Sequence, residues 1–216
     1  MTEIIKKLGP GFLFAGAAIG VSHLVQSTRA GADYGMGLIW ALILINLIKY
    51  PFFLLAPRYA ASTGEDLLDG FARLGRWTLI LYFVITFATM FTIQTSVTIV
   101  TAGIAASLFQ DGTTIFWTTL ITSLCFLIIL VGRYKLLDSM MKYIVIILTI
   151  STLLAVFLAF QNHTESISWK QTFPTDTVGI AFLIAFMGWM PAPLDVTVWQ
   201  SIWTIEKKKM NPSLTL

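Results

Sequence analysis

Gly188-Trp189-Met190-Pro191-Ala192-Pro193-Leu194-Asp195 lies in the middle of an apolar run that extends from Thr177 to Ile205. Two prolines two residues apart withhold two backbone donors and crowd the preceding turn. A helix entering this stretch is expected to stop and restart. The first apolar run has a comparable fault. Between Gly11 and Leu24 it carries Gly11, Gly16 and Gly20, then Ser22 and His23, a poor composition for a continuous helix. Gly20, Val21, Ser22, His23, Pro191 and Pro193 are therefore the expected helix-break residues. At membrane depth such backbone is tolerated only where it is buried in protein or lines a water-filled cavity.

The rest of the chain supplies the membrane. Of 216 residues, 56% are hydrophobic and 12% charged, and the mean hydropathy is +0.81. Soluble domains carry about 25% charge, so a soluble enzyme, a disordered chain and a disulfide scaffold are all excluded; the single Cys125 cannot bridge within the chain. A span needs about 20 mostly apolar residues. Six stretches qualify, at about 11–28, 35–57, 78–109, 114–132, 143–160 and 177–205, within one membrane domain covering 1–216. The third, at ~1.5 Å per residue, reaches about 48 Å and must tilt or project. Lys6-Lys7 before an apolar run imitates a signal peptide, but five further spans follow, which favours an uncleaved first helix.

Basic residues set the orientation. With the N-terminus inside, Lys6, Lys7, Arg58, Arg73, Arg76, Arg133, Lys135, Lys142 and Lys207 to Lys209 make eleven on the inner side, against Arg29 and Lys170 outside. Both termini are expected in the cytoplasm, in a multi-pass protein of the plasma membrane. The formal charge of +3 is thereby a topology signal, and nucleic acid drops out as a partner in favour of the lipid bilayer. Asn162-His163-Thr164 matches a glycosylation sequon, for which chance is the plainer account. Thr63-Gly64-Glu65-Asp66-Leu67-Leu68 reads as the start of a capped amphipathic surface helix.

The two faulted spans match each other loosely. Gly11 precedes Gly20 by nine residues and Gly179 precedes Gly188 by nine; Gln26-Ser27 follows the first fault and Gln200-Ser201 the second. Paired interrupted helices point to a secondary transporter built of inverted repeats, with substrate held near the midplane by half-helix ends and freed carbonyls. In the plainer alternative, Gly16 and Gly20 form a close-packing motif and the prolines merely kink the sixth span. Asp195 is read as the one carboxylate at membrane depth, where a charge costs about 2.5–3.5 kcal/mol on insertion scales. His23 could be a ligand, a proton carrier or a hydrogen-bonded packing residue. Met190 is either a soft metal ligand or filler. Lys49 is expected to snorkel toward the interface, or else to pair with a carboxylate.

Gly9-Pro10-Gly11-Phe12-Leu13, with Arg29-Ala30-Gly31-Ala32-Asp33-Tyr34-Gly35, resembles the first helix of the Nramp family of divalent metal ion transporters and its continuation. Thr63 to Leu67, Gly132-Arg133-Tyr134-Lys135-Leu136 and Met190-Pro191 are similar to further family motifs. The resemblance implies an all-α integral membrane protein with the LeuT-like fold of two inverted five-helix repeats. This chain would supply the first repeat and the first helix of the second, and its partner would be the missing C-terminal half or a second copy. The departures fall on the chemistry. The family's Asp-Pro-Gly-Asn motif, whose Asp and Asn bind metal, falls on Gly20-Val21-Ser22-His23. The family's methionine is kept as Met190, its sixth-helix histidines fall on Ala192 and Thr197, and its acidic pair on helix three falls on Gln94 and Val97.

The leading expectation is a secondary transporter moving a metal cation by alternating access, with the cation as substrate and no cofactor. Its expected site is Gly20, His23, Gly188, Met190 and Asp195. The alternatives are a transporter of a small organic solute and a non-transporting or truncated paralogue. A membrane-embedded enzyme stands last, because no HExxH, GxSxG or paired intramembrane carboxylate occurs.

Overall fold

A computed structural model describes residues 9–20, 22–131, 134–161 and 168–210, and among these no residue lies in a strand. The helices are α1 (Gly9–Ala18), a π-helical turn (Ser22–Gln26), α2 (Ser27–Tyr34), α3 (Ile39–Thr63), α4 (Leu67–Leu74), α5 (Arg76–Phe109), α6 (Thr114–Val131), α7 (Tyr134–Gln161), α8 (Thr177–Trp189) and α9 (Val196–Met210). Four of them, α3, α5, α6 and α7, contain stretches long and apolar enough to cross a bilayer. No residue of the α6 window is buried. An apolar surface of that extent suits hydrocarbon rather than water.

Chain contacts divide the protein into two compact units, residues 1–67 with 140–216, and residues 68–139. In the smaller unit, α5 and α6 pack as a helical hairpin. Gln110 closes α5 in the left-handed region, and the Trp117 indole donates to Asp111 O at 2.7 Å while stacking on Phe109. Gln94, one of the two positions where the family's acidic pair falls, donates to Thr98 Oγ1 on its own helix at 3.0 Å.

The larger unit holds both faulted spans. Here α3 packs against α9 and α8, α1 against α9, and the π turn against α8. Ala30, Leu38, Ala41, Ile45, Phe182, Phe186 and Met190 form one buried cluster, and Ala18, Ala192 and Val196 form another. The loop before α8 is tied down at several points. Thr172 N–H donates to Gly37 O at 2.9 Å, and the Trp40 indole donates to Thr172 O at 3.0 Å. Gly37 has no room for a side chain there, since a Cβ would lie 2.5 Å from Thr172 Oγ1 and 2.9 Å from Tyr34 O. Asp176 caps α8 by accepting from Gly179 N–H at 2.9 Å.

Several helices extend beyond the apolar stretches read from the sequence. Past Thr28, α2 continues to Tyr34 and stops at Gly35 with φ +55°. Arg29 and Asp33, counted with an outer loop, pair one helical turn apart at 3.4 Å. Both Pro51 and Pro57 lie inside α3, which runs on to Thr63 and is closed by left-handed Gly64. Thr63 thus ends α3 rather than opening the surface helix, although α4 itself is present. Likewise α7 begins before 143, and Asp138, expected in a loop or at a span end, lies buried on it at the head of a candidate span. Val21 and the Asn162-His163-Thr164 sequon fall outside the described residues.

Candidate functional site

In the first fault, α1 ends at Ala18 and the chain turns through Gly20, whose N–H donates to Ala18 O at 2.9 Å. Ser22 opens the π turn, a form found often at functional sites. His23 Nδ1 lies 2.7 Å from Ala18 O. A carbonyl can only accept, so Nδ1 carries the proton, and in the neutral ring the lone pair belongs to Nε2. Metal-ligating histidines are held in this way, one ring nitrogen donating to a backbone carbonyl.

In the second fault, α8 ends at Trp189 and α9 begins at Val196. Pro191 offers no N–H to Met187 O, nor Pro193 to Trp189 O. Met190 is extended, with its N–H still donating to Phe186 O at 3.0 Å. The freed carbonyls do not face an empty cavity. Lys49 Nζ, reaching over from α3, donates to Met187 O at 3.0 Å, Gly188 O at 2.6 Å, Met190 O at 2.8 Å and Ala192 O at 3.1 Å. Lys49 is 6% exposed. The expectation that it snorkels is overturned: four backbone acceptors inside the protein outweigh the route to the interface, and no carboxylate pairs with it among the described residues.

The structure brings the two faults together at one point, where Ala18, Ala192 and Val196 are buried against each other. It does not gather the expected side chains into a recognisable ligand set. Met190 is 1% exposed and packed in the cluster of Phe182 and Phe186. Asp195 directly precedes α9, where a negative charge favours the helix, and its backbone carbonyl accepts from Val198 N–H at 3.0 Å. Among the described residues no three of His, Cys, Asp and Glu lie together as a metal site. A cavity of about 280 Å³ opens beside Ser27, Gly31, Met36, Leu42 and Phe186, and none of the five expected site residues lines it.

Two side chains stand out that the sequence offered only as repeat markers. Among the described residues, the amide oxygens of Gln26 and Gln200 are buried without a hydrogen-bond partner, one just after each fault. Their matched positions were visible in the sequence, but burial was not. Beside Gln200, Ser201 Oγ accepts from Leu67 N–H at 3.0 Å.

The family model described as natural resistance-associated macrophage protein-like (Nramp) matches residues 11–213. The chain belongs to the Nramp family. An uncharacterized protein of Pasteurella multocida (strain Pm70) is 35% identical to it over 210 residues, which are 94% of this chain and 48% of that protein. The chain thus spans about half the length of the curated relative it matches. No solved structure matches it. Nramp proteins are metal ion transporters and not enzymes, and with four apolar helices this Nramp chain is an integral membrane protein.

Proposed function

We propose that this Nramp chain is part of a secondary-active transporter that moves a metal cation by alternating access around its first and sixth spans. The observation that carries the reading is the pair of interruptions in one unit of an Nramp-family chain, meeting at Ala18 and Ala192. The architecture proposed is LeuT-like, with inverted repeats, the remaining helices coming from the rest of the protein or a second copy. His23 Nε2, Met190 and Asp195, with backbone near Gly20 and Gly188, are the proposed contacts. A second reading, transport of a small organic solute, is favoured by Lys49, which already fills the carbonyls of the sixth span.

Calorimetric titration of the complete protein with Mn²⁺, Co²⁺, Zn²⁺ and Mg²⁺ decides between them. Binding is expected, with His23→Ala and Asp195→Asn each weakening it about tenfold, or ~1.4 kcal/mol. Binding that neither substitution weakens disproves this site. Absence of binding by every ion transfers the proposal to an organic solute.

The proposed orientation places both termini in the cytoplasm, from the eleven-to-two distribution of basic residues. Topology reporters fused after Gly112 and after Thr164 are both expected to signal the outside; a cytoplasmic signal at either position reverses the assignment.

A further inference from the structure

We propose that Lys49 is a tethered cation, its ammonium seated at rest in a carbonyl nest built by the interruption of the sixth span, and that shortening this side chain opens the nest to a small monovalent organic cation. The inference holds for either cargo above, because it concerns what occupies the nest at rest.

The argument starts from donors and acceptors. An ammonium has three N–H donors and no acceptor. Lys49 faces four carbonyl oxygens at 2.6–3.1 Å, so every donor is taken up. The acceptors come from residues 187, 188, 190 and 192, a spacing that a continuous helix does not present to one point. They converge because Pro191 and Pro193 withhold the N–H groups that would have engaged this turn. The nest also lies at the C-terminal end of α8, where the helix dipole is negative. Carbonyl dipoles without a carboxylate are the setting used elsewhere to replace the hydration of a monovalent ion. A buried ammonium is otherwise costly, and no ion pair offsets it among the described residues. The nest therefore serves the charge, and the charge serves the nest, since four buried carbonyls without donors are costly as well.

This assigns a role to Gly188 different from that of an open metal ligand. Its carbonyl makes the shortest of the four contacts with Lys49. A divalent ion entering at that oxygen meets a like charge already seated 2.6 Å from the same oxygen. A cation cargo that reaches the Gly188 carbonyl must therefore displace Lys49 from it.

The test is chemical rescue in the purified full-length protein. Lys49→Ala removes three carbons and the ammonium, which n-propylammonium replaces. The thermal midpoint of Lys49→Ala is expected to fall by about 5 °C or more, and ~50 mM n-propylammonium is expected to recover at least half of the loss. Wild type and Lys49→Met, whose side chain fills the passage, are expected to show no response to the amine. No loss of midpoint in Lys49→Ala, no recovery with the amine, or equal recovery with n-propanol each overturns the proposal. The last result would mean that volume, not charge, was missing. Should Lys49→Ala yield no folded protein, size-exclusion yields of Lys49→Gln and Lys49→Met replace it. Gln, which keeps an N–H donor, is expected to give the higher yield, and an equal or lower yield overturns the proposal. Because the readout is stability, failure here is distinct from failure to bind or transport metal.

Discussion

Gly20→Asp is expected to tighten Mn²⁺ binding by the complete protein at least tenfold. The resemblance to the Nramp first helix places the family's metal-binding aspartate at Gly20, and the chain now belongs demonstrably to that family over residues 11–213. Glycine there offers no ligand. The structure offers room for one, since a Cβ added at Gly20 meets no atom within 4 Å. Its backbone is not in the left-handed region, so a side chain introduces no strain there. A carboxylate at this point adds a hard oxygen and a negative charge within the turn that leads to His23, and Mn²⁺ favours oxygen ligands. Tenfold corresponds to ~1.4 kcal/mol, a modest gain for a first charged ligand. Titration of Gly20→Asp beside wild type and Gly20→Asn separates charge from mere polarity. An aspartate variant that folds normally and binds Mn²⁺ no more tightly than wild type removes the first interruption from the metal site.

The second large effect is on stability, at Met190. This side chain carries two candidate roles, soft ligand and core residue, and truncation alone confounds them. It is almost wholly buried among Phe182, Phe186 and Leu38. Met190→Ala is therefore expected to cost about 2–5 kcal/mol through lost burial and the cavity left behind. Met190→Leu conserves volume and is expected to cost less than about 1.5 kcal/mol. Thermal midpoints of the two variants check this ordering, and a Leu variant as unstable as the Ala variant contradicts it. Met190→Leu then isolates the thioether. If it retains stability but loses Cd²⁺ or Zn²⁺ affinity, the sulfur is a ligand; unchanged affinity leaves Met190 a packing residue alone.

Much of the molecule was legible from local chemistry. Apolar length and scarce charge locate the spans, because crossing hydrocarbon is a requirement on every residue of a segment rather than on particular contacts. Pro191 and Pro193 mark the end of α8 for the same local reason, as they lack N–H groups in any fold. The glycines, Ser22 and His23 mark where α1 gives way to the π turn. Helix ends were less legible. Pro57 reads as a terminator, yet α3 passes through it and is closed by Gly64, because packing along α3 holds the helix where propensity alone would release it.

What tertiary structure alone decided lies in contacts between residues far apart in the chain. From the sequence, Lys49 is a lysine near the end of an apolar run, and its stem and charge suggest an escape to the interface. The fold instead sets α3 beside the interruption about 140 residues later, where four carbonyls without helical donors are turned toward one ammonium. Met190 and Asp195 follow the same rule. Sequence placed both at the interruption, and only packing directed one into the aromatic core and left the other at the start of α9. A side chain's type fixes which bonds it can make, whereas the partner that it finds depends on which distant backbone the fold has left unpaired.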